Sequence, residues 1–400
     1  MNEFEQHRSM VKDRARALMD RDGVEALVAL TAEDFYYITG FPSYFLYSRR
    51  TTGAAFAVFF RDPTRKTIAV MNEFEALAVD PPKDCELRTF PIWMDIDDPL
   101  NLRGNHFTGK RPTDFELDKL FALLAEILCE ADIADQKIGM EVSTIQHFAW
   151  NSLKENLPEA HIFDSQPMFL EMRRIKSEWE LNYLRQAVAI TEKGIRDTVE
   201  NFKQGESAAD LCARFKASIL SDPRSSLPKL NIISVGTDIA PRRFFDTAPA
   251  APGSLVKFDV GTDVHGYGAD IARTFCVGKP GDLARRTYDA LKKGHDRLME
   301  LAGPGVSMKE MFLEVMEVIH AGGLPSYNRG HLGHSTGLTI EERPFVGPNE
   351  TCVLEPGMCI CLETPYYGIG VGAIMIENQM IITENGIECL NQMSRELVEL

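Results

Sequence analysis

The sequence predicts two domains, an α/β domain of about 160 residues followed by an α+β domain. Helical and strand-like segments alternate in the first part of the 400-residue chain, whereas strand-like segments joined by short turns follow one another in the second part. A charged helical stretch separates the two parts. We place the boundary near 163–167, which gives domains of residues 1–165 and 166–400.

The elements of the first domain follow from hydrophobic spacing. Residues 10–21 carry apolar side chains at helical spacing and stop at Gly23, and residues 115–132 show the same pattern. Apolar runs of strand length predict strands over 26–30, 54–60, 66–71 and 137–140. Alternation of this kind favours a sheet that helices mostly cover.

The second domain has a different order of elements. Helical patterns cover 176–201, 207–220, 283–302 and 308–321. Strand-like segments cover 229–235, 255–263, 268–277, 357–363 and 371–383. Consecutive strands joined by tight turns indicate antiparallel pairing.

Charge and hydropathy exclude several classes of function. The chain has 43 Lys and Arg against 59 Asp and Glu, a net charge of -16, and no basic cluster that would follow a phosphate backbone. It has no apolar run of about 18 residues and no leader pattern at its start. We therefore expect a cytoplasmic protein that binds neither nucleic acid nor membranes.

The eight cysteines form no zinc-type pair, so we expect reduced thiols. Cys359 and Cys361 fall on the same face of a predicted strand as Glu363, and we interpret them as small core residues.

The segment from Val256 to Thr274 carries the strongest chemical signal. Asp259 interrupts an apolar strand, a turn falls at 265–268, and Asp270 follows on the returning strand. Such a hairpin can place the two carboxylates at neighbouring positions on one face. Adjacent carboxylates repel each other unless a proton or a cation lies between them. The pair alone is weak support for a site, because turns that contain Asp are common.

Three further residues fit the same site. His334 lies in a glycine-flanked segment, and Glu363 and Glu377 each interrupt an apolar, strand-like run. A carboxylate in such a run is costly unless it is paired, binds a metal or faces solvent from an edge strand. Four carboxylates and one imidazole suit Mn²⁺, Co²⁺, Zn²⁺ or Fe²⁺, and paired ions of this kind lie about 3.5–4 Å apart.

These motifs resemble the pita-bread metallopeptidase and creatinase family, which includes Xaa-Pro dipeptidases, Xaa-Pro aminopeptidases, methionine aminopeptidases, creatinase and ectoine hydrolase. The hairpin 258–275, with eleven residues from Asp259 to Asp270, is similar to the hairpin of the family that carries two ligands. The segments around His334, Glu363 and Glu377 follow in the order of the family. The resemblance covers nearly the whole chain and implies a pita-bread α+β catalytic domain.

The resemblance also implies a role for each ligand. Asp259 would bind one divalent ion, His334 and Glu363 the other, and Asp270 and Glu377 would bridge them. Glu363 resembles the proton shuttle of the family. The implied reaction is hydrolysis of an amide C–N bond by a water that the two ions share.

The first domain resembles that of the creatinase-like and prolidase-like branch. Residues 36–40 are similar to a Tyr-rich turn of that branch, and residues 172–180 are similar to its interdomain helix entry. The branch implies a homodimer in which the first domain of one subunit partly closes the catalytic groove of the other.

Arginines stand where the peptidases of the family have a histidine near the substrate. Arg242 and Arg243 occupy the loop in question. They are either a solvated pair or a site for a substrate carboxylate, which the planar guanidinium group suits. Met375 replaces the usual arginine near Glu377.

A second expected histidine is also replaced, seven residues after His334, by Glu341. Glu341 and Glu342 are either exposed on a turn or face a cationic group of the substrate, and Glu341 is a candidate catalytic residue for proton transfer together with Glu363. His331 lies three residues before His334, where the prolidase-like branch has a histidine four residues before it. His331 is either a structural histidine or a residue that acts on the substrate.

Two classes of function follow from these observations. The first is a metal-dependent exopeptidase of the Xaa-Pro type that acts on short peptides. The second is a non-peptidase that opens a C–N bond in a small zwitterionic metabolite, of the creatinase or ectoine-hydrolase kind, or a related metal-dependent lyase. A binding protein without activity ranks last because all five ligand positions are filled, and for the same reason we place the peptidase first.

Overall fold

The computed structural model describes residues 2–96, 109–241, 244 and 246–400. The chain divides into two compact units, the first ending at Met172 and the second beginning at Arg173. This division lies near the end of the helix Gln166–Arg174, and the predicted boundary of 165 and 166 lies at its start. The helices in the described ranges include none that is long and apolar enough to cross a membrane.

The first unit is an α/β structure with a mixed sheet. Its strands are β1 (Ala26–Ala29), β2 (Phe56–Phe60), β3 (Thr67–Asn72), β4 (Cys85–Phe90), β5 (Lys137–Met140) and β6 (His161–Asp164). Its helices are α1 (Glu3–Asp22), α2 (Ala32–Thr39), α3 (Tyr44–Arg49), α4 (Glu73–Ala76), α5 (Leu117–Glu130) and α6 (His147–Asn156), and α7 (Gln166–Arg174) spans the division. The strand order is β4-β3-β2-β1-β5-β6, with α5 and α6 packed on a core that the sheet shares.

Two helices of the first unit differ from the sequence-based expectation. Helix α1 begins earlier than predicted, because Asn2 and Glu5 form a capping box at its start. The Tyr-rich segment, which we interpreted as a turn, is helix α2. Thr31 caps its first turn, and Gly40 ends it with a left-handed backbone at φ 83°.

The second unit is an α+β structure. Its helices are α8 (Glu178–Glu200), α9 (Ala208–Ile219), α10 (Asp282–Leu301) and α11 (Met308–Ala321). Its strands are β7 (Leu230–Val235), β8 (Leu255–Gly261), β9 (Asp263–Val264), β10 (Tyr267–Gly268), β11 (Ile271–Cys276), β12 (Gly333–Ser335), β13 (Glu342–Phe345), β14 (Cys359–Glu363), β15 (Tyr366–Gly368), β16 (Gly372–Ile374), β17 (Glu377–Thr383), β18 (Gly386–Cys389) and β19 (Val398–Glu399). The main sheet has the order β13-β12-β14-β17-β11-β8-β7, with β18 beside β17 and β19 beside β11.

Helices cover one face of this main sheet. On β8, Val256, Phe258 and Val260 pack into an apolar cluster with α8 and α9. On β14, Ile360 and Leu362 pack into a second cluster with α10 and α11. Because side chains alternate along a strand, the residues between these apolar positions point to the opposite face. The predicted metal ligands of β8, β14 and β17 lie on that opposite face.

The hairpin that carries the two aspartates depends on close backbone approach. His265 and Gly266 form its tip with positive φ angles of 51° and 83°, as a two-residue turn of the type I′ class requires. At its base, a Cβ on Gly261 would lie 1.6 Å from the carbonyl oxygen of Ala269. Glycine at this position therefore lets the returning strand bring Asp270 close to β8.

A buried ion-pair network joins the start of the second unit to β13. Glu342 Oε2 lies 3.3 Å from Lys176 Nζ, and Glu342 Oε1 lies 3.6 Å from Arg173 Nη2. The backbone N–H of Thr339 donates to the same carboxylate at 3.2 Å. Glu342 thus has a structural partner for each oxygen, and the expectation that it is exposed or faces a substrate is wrong, because both cations come from the chain itself.

Replacing Glu342 with Gln should lower the free energy of unfolding by about 3–5 kcal/mol, because the change leaves buried positive charge without its carboxylate. Chemical denaturation measures this loss. Glu341→Gln is the matched control, since Glu341 is the exposed neighbour, and its effect should stay within about 0.5 kcal/mol.

The stability difference between wild type and Glu342→Gln should depend on pH. Burial alone raises the pKa of Glu342, but Arg173 and Lys176 outweigh it and lower the pKa from 4.5 to about 2. A lowered folded-state pKa means that the carboxylate stabilises the fold above pH 4.5 and that this contribution falls as the pH drops toward 2. A stability difference between wild type and Glu342→Gln that stays constant over this range would contradict the assignment.

Candidate metal centre

Strand register places carboxylates side by side on the face that the helices leave free. Asp259 of β8 pairs with Ala272 of β11, and Ala272 pairs with Glu377 of β17. Glu377 in turn pairs with Glu363 of β14. Partners in register project to the same face of a sheet, so three carboxylates from three strands form one row across it.

A second row lies two residues along the strands. His334 of β12 pairs with Cys361 of β14, and Cys361 pairs with Gln379 of β17. Asp270 joins this row because its backbone N–H donates to Gln379 Oε1 at 3.0 Å. Gly333, which precedes His334, has a φ of 153°, and a Cβ there would lie 2.3 Å from the carbonyl oxygen of Cys361.

Ligand atoms of four buried residues converge where the two rows meet. One atom from each of Asp270, His334, Cys361 and Glu377 lies within 4.8 Å of the others. His334 Nε2 is 3.7 Å from Asp270 Oδ2 and 3.9 Å from Glu377 Oε1. These separations leave room for a cation bound by oxygen and nitrogen at about 2.0–2.2 Å.

The imidazole of His334 is oriented for coordination through Nε2. Its Nδ1 lies 3.0 Å from the carbonyl oxygen of Ser335, which accepts a hydrogen bond from the ring. This bond fixes the tautomer with a lone pair on Nε2, the nitrogen that faces Asp270 and Glu377.

The carboxylates of this cluster are incompletely satisfied by the described residues. Asp270 Oδ1 and both oxygens of Glu377 are buried and have no hydrogen-bond partner among these residues. Burial raises the pKa of Asp270 well above its ordinary value, and the charges of Asp259 and Glu363 raise it further. Burial raises the pKa of Glu377 in the same way, with Asp270 and Glu363 adding to the effect. A bound cation would remove both penalties.

Lys257 is a basic partner of Asp259 that the sequence did not lead us to single out. Its Nζ lies 2.9 Å from Asp259 Oδ2, and both side chains are buried. Burial lowers the pKa of Lys257, but the charges of Asp259 and Tyr367 outweigh it, so the pKa is raised. The signal in the sequence was a lysine inside an apolar strand, two residues before an aspartate and therefore on the same face.

Glu363 has basic neighbours of its own. His331 Nδ1 lies 3.2 Å from Glu363 Oε1, and Arg329 Nη2 lies 3.4 Å from the same oxygen. Burial raises the pKa of Glu363, but His331, His334 and Arg329 outweigh it and hold the pKa below its ordinary value. Glu363 is therefore the predicted ligand carboxylate that stays ionised most readily. His331 is placed to contact it.

Buried groups outside the cluster hold the ligand strands in place. Arg273 donates through Nη1 to the carbonyl oxygens of Ala272 and Glu377, at 2.8 and 2.6 Å. Gln379 Nε2 donates to the carbonyl oxygen of Gly268 at 3.3 Å. These bonds fix the backbone on both sides of the ligands, as the outer partners of metal ligands commonly do.

An open cleft of about 520 Å³ lies beside the cluster. His331, Glu341, Arg343 and Phe345 are among its lining residues. His331 links the cleft to the cluster, because it also contacts Glu363. Glu341 is exposed and does not join the ligands.

Arg242, Arg243 and Cys361 are the remaining residues that the sequence singled out. The predicted substrate-binding residues Arg242 and Arg243 lie outside the described residues. Cys361, which we interpreted as a core residue, is buried but also lies among the ligand atoms. Burial and the nearby carboxylates raise the pKa of its thiol well above the ordinary value.

The donor set fits a divalent ion. It offers oxygens and one imidazole nitrogen on a preformed face, with orphaned carboxylate oxygens that a cation would satisfy. Without a cation or a shared proton, the same carboxylates repel one another.

Comparisons with known proteins identify the family of the chain. The family model described as metallopeptidase family M24 matches residues 182–384, and the model of the creatinase and prolidase N-terminal domain matches residues 12–175. A protein named Xaa-Pro dipeptidase from Pyrococcus furiosus is 29% identical over 294 residues, which are 70% of this chain and 79% of that protein.

Solved structures share the two-domain fold. The Xaa-Pro dipeptidase from Bacillus anthracis superposes with a TM-score of 0.82 at 20% identity, covering 98% of this chain and 100% of that one. The prolidase from Pyrococcus horikoshii superposes with a TM-score of 0.78 at 22% identity, covering 97% and 99%. The predicted α/β domain with a pita-bread catalytic domain is confirmed, and the chain belongs to metallopeptidase family M24.

Proposed function

We propose that this chain is a metal-dependent Xaa-Pro peptidase of the dipeptidase or aminopeptidase type. The observation that carries the proposal is the complete set of four carboxylates and one imidazole in a chain of family M24. A relative named Xaa-Pro dipeptidase supports the substrate class. The reported relatives give no support to the alternative, a hydrolase or lyase of small zwitterionic metabolites.

The metal ligands in this proposal are the five predicted residues, Asp259, Asp270, His334, Glu363 and Glu377. We infer that they hold two divalent ions, with Asp270 and Glu377 shared between them. Manganese, cobalt, zinc and iron all suit this oxygen-rich set with one nitrogen. Bound divalent ions polarise a scissile carbonyl and provide a water nucleophile near neutral pH.

Glu363 is our candidate for proton transfer. Its lowered pKa keeps it ionised, and His331 and Arg329 hold it from one side. An ionised carboxylate in this position can accept a proton from the attacking water and pass it to the leaving proline nitrogen. His331, which contacts both Glu363 and the cleft, positions this carboxylate against the substrate.

The cleft offers both charges that a dipeptide needs. A dipeptide carries an ammonium and a carboxylate, and the cleft is lined by the acidic Glu341 and the basic Arg343. Its volume of about 520 Å³ lies within the range of small-molecule sites. Arg242 and Arg243 stay predicted carboxylate-binding residues, and a cytoplasmic location stays a prediction from the sequence.

Removing a shared ligand should remove both ions. We expect the purified wild type to hold about two divalent ions per chain and Asp270→Ala or Glu377→Ala to lose them, because each residue serves both positions. Elemental analysis after gel filtration measures the ion content. Asp263→Ala is the matched control, since this hairpin aspartate accepts a hydrogen bond from Ser226 rather than facing the cluster. Full ion content in either ligand variant would rule out the shared assignment.

The substrate class is tested with metal-loaded enzyme and a panel of dipeptides. Xaa-Pro dipeptides should be cleaved with release of free proline, and matched Xaa-Ala dipeptides, small amides and betaine-like metabolites should react more slowly. Chromatography of the released amino acid measures the rates. Faster turnover of the non-peptide compounds than of every Xaa-Pro dipeptide would contradict the proposal.

Glu363 and Glu341 should affect different kinetic constants. Glu363→Gln should lower kcat by about 100- to 10,000-fold, because the amide cannot carry the proton. Glu341→Gln should mainly raise KM, because it removes a charge that contacts the substrate in the ground state. Steady-state kinetics on one Xaa-Pro dipeptide separate the two. Equal effects on kcat would show that the assigned roles are wrong.

We also propose a homodimer, in which the first unit of one subunit helps to close the groove of the other. The first unit carries exposed apolar side chains at Tyr44 and Tyr47 on α3 and at Leu77, which directly follows α4. Glu75 joins these helices, because its Oε1 accepts a hydrogen bond from the backbone N–H of Phe45 at 3.0 Å. Exposed apolar surface of this kind commonly marks an interface.

Light scattering at micromolar concentration tests the assembly. The wild type should have the mass of a dimer, and Tyr44→Ser with Leu77→Ser should shift it toward the monomer. Leu220→Ser removes a similarly exposed leucine from the second unit and serves as the control. A monomeric wild type would refute the proposal.

A further inference from the structure

Cys361 is a buried thiol that faces the predicted metal ligands. Its strand neighbours Ile360 and Leu362 pack into the apolar cluster with α10 and α11, so alternation along β14 turns Cys361 to the opposite face of the sheet. In the register of the sheet, Cys361 lies between His334 of β12 and Gln379 of β17. Its position beside the ligand histidine is therefore set by the strands themselves.

The thiol of Cys361 is close to three of the five proposed ligands. Its Sγ belongs to the group of ligand atoms, with those of Asp270, His334 and Glu377, that all lie within 4.8 Å of one another. The S–H group donates to the backbone carbonyl oxygen of Asp270, at a sulfur–oxygen distance of 3.8 Å. A thiol is a weak hydrogen-bond donor, so this contact stabilises it only slightly.

Neighbouring carboxylate oxygens independently indicate a ligand in the same space. Asp270 is 3% exposed and Glu377 is 0% exposed. Asp270 Oδ1 and both oxygens of Glu377 have no hydrogen-bond partner in the described part of the chain. Glu377 Oε1 lies 3.9 Å from His334 Nε2 and so faces into the group. A cation that satisfies these oxygens would lie beside the sulfur of Cys361 as well.

We propose that Cys361 is a sulfur ligand of the ion that His334 binds, and that it makes the centre prefer thiophilic ions such as Zn²⁺, Co²⁺ and Cd²⁺ over Mn²⁺. The inference rests on the proposed metal-dependent function and narrows its choice of metal. Thiolate is a soft ligand that selects Zn²⁺ and similar ions, whereas carboxylates suit Mn²⁺. Binding breaks the S–H bond and forms a sulfur–metal bond, and the proton passes to solvent.

The alternative is that Cys361 is a small residue that only fills space. Cys212 and Cys276 are thiols of that kind, because they pack inside apolar clusters. The two accounts differ in what happens when sulfur is replaced by oxygen at nearly the same size, as in Cys361→Ser. Cys359→Ser is the matched control, because Cys359 is fully buried on the same face of β14 and contacts Gln379, which is not a proposed ligand.

The experiment loads metal-free full-length protein with Co²⁺ and records its absorption spectrum, with ion content checked by elemental analysis. Sulfur bound to Co²⁺ gives a charge-transfer band in the near ultraviolet that oxygen and nitrogen ligands do not give. The wild type and Cys359→Ser should show this band. Cys361→Ser should lose the band and still bind Co²⁺, because the carboxylates and His334 remain.

Competition between two metals measures the selectivity. Equilibrium dialysis against mixed Mn²⁺ and Cd²⁺, followed by elemental analysis, gives the ratio of the two affinities. The preference for Cd²⁺ should fall at least about tenfold from the wild type to Cys361→Ser and should be unchanged in Cys359→Ser. An equal preference for Cd²⁺ in the wild type and in Cys361→Ser would overturn the inference.

The outcomes separate this inference from the function on which it rests. Bound Co²⁺ without a sulfur band in the wild type, or the same band in Cys361→Ser, would overturn the sulfur ligand. Cleavage of Xaa-Pro dipeptides by that Co²⁺-loaded wild type would leave the proposed function standing, whereas a wild type that binds no ion would contradict both.

A measurement on the wild type alone decides if circular dichroism shows that Cys361→Ser does not fold. X-ray absorption of the Zn²⁺-loaded protein gives the atoms bound to the metal and their distances. A sulfur at about 2.3 Å supports the ligand, and a shell of only oxygen and nitrogen at about 2.0–2.2 Å overturns it. Cys359→Ser should give the same spectrum as the wild type.

Discussion

The repulsion among buried carboxylates on one sheet face is the constraint on which the catalytic unit depends. Asp259, Asp270, Glu363 and Glu377 are all buried, which raises the pKa of each. Only at Glu363 do basic neighbours outweigh burial and hold the pKa below its ordinary value. If no positive charge lies near these carboxylates, each carboxylate that ionises lowers the stability of the fold. Lys257, the basic neighbours of Glu363 and the proposed metal ions are three sources of that charge.

The architecture of the second unit follows from the same constraint. Helices cover one face of the main sheet with apolar clusters, so the polar groups have a face of their own. Antiparallel register then aligns them, and glycine at Gly261 and Gly333 allows the close backbone approach that brings Asp270 and His334 into the row. Arg273 donates a hydrogen bond to the carbonyl oxygen of Glu377 and so holds the backbone of this residue. Four of the five predicted ligands therefore lie on strands, and Asp270 directly precedes β11.

The sequence predicted the parts of this site that have local signals. Carboxylates that interrupt apolar strands are visible in the sequence, and the hairpin spacing brings Asp259 and Asp270 together without knowledge of the rest of the fold. The partner of Glu342 was not visible, because Arg173 and Lys176 lie more than 160 residues earlier in the chain. The Tyr-rich segment was interpreted as a turn from the family resemblance alone, whereas Thr31 caps a helix that includes it.

Lys257 and Cys361 show a further limit of sequence reasoning. Both lie on the ligand face by simple alternation, but their importance depends on which atoms of other strands stand opposite. Cross-strand register is set by the whole sheet, so a single strand cannot reveal it. Arg242 and Arg243 lie outside the described residues, and their role stays a prediction.

Anomalous X-ray diffraction from crystals grown with Mn²⁺ is the most direct test of the central claim, that this sheet face requires a cation. The account predicts a strong anomalous peak among Asp270, His334 and Glu377. It predicts a second peak beside Asp259. A face without any anomalous peak at high Mn²⁺, with its carboxylates paired to one another, would contradict the account.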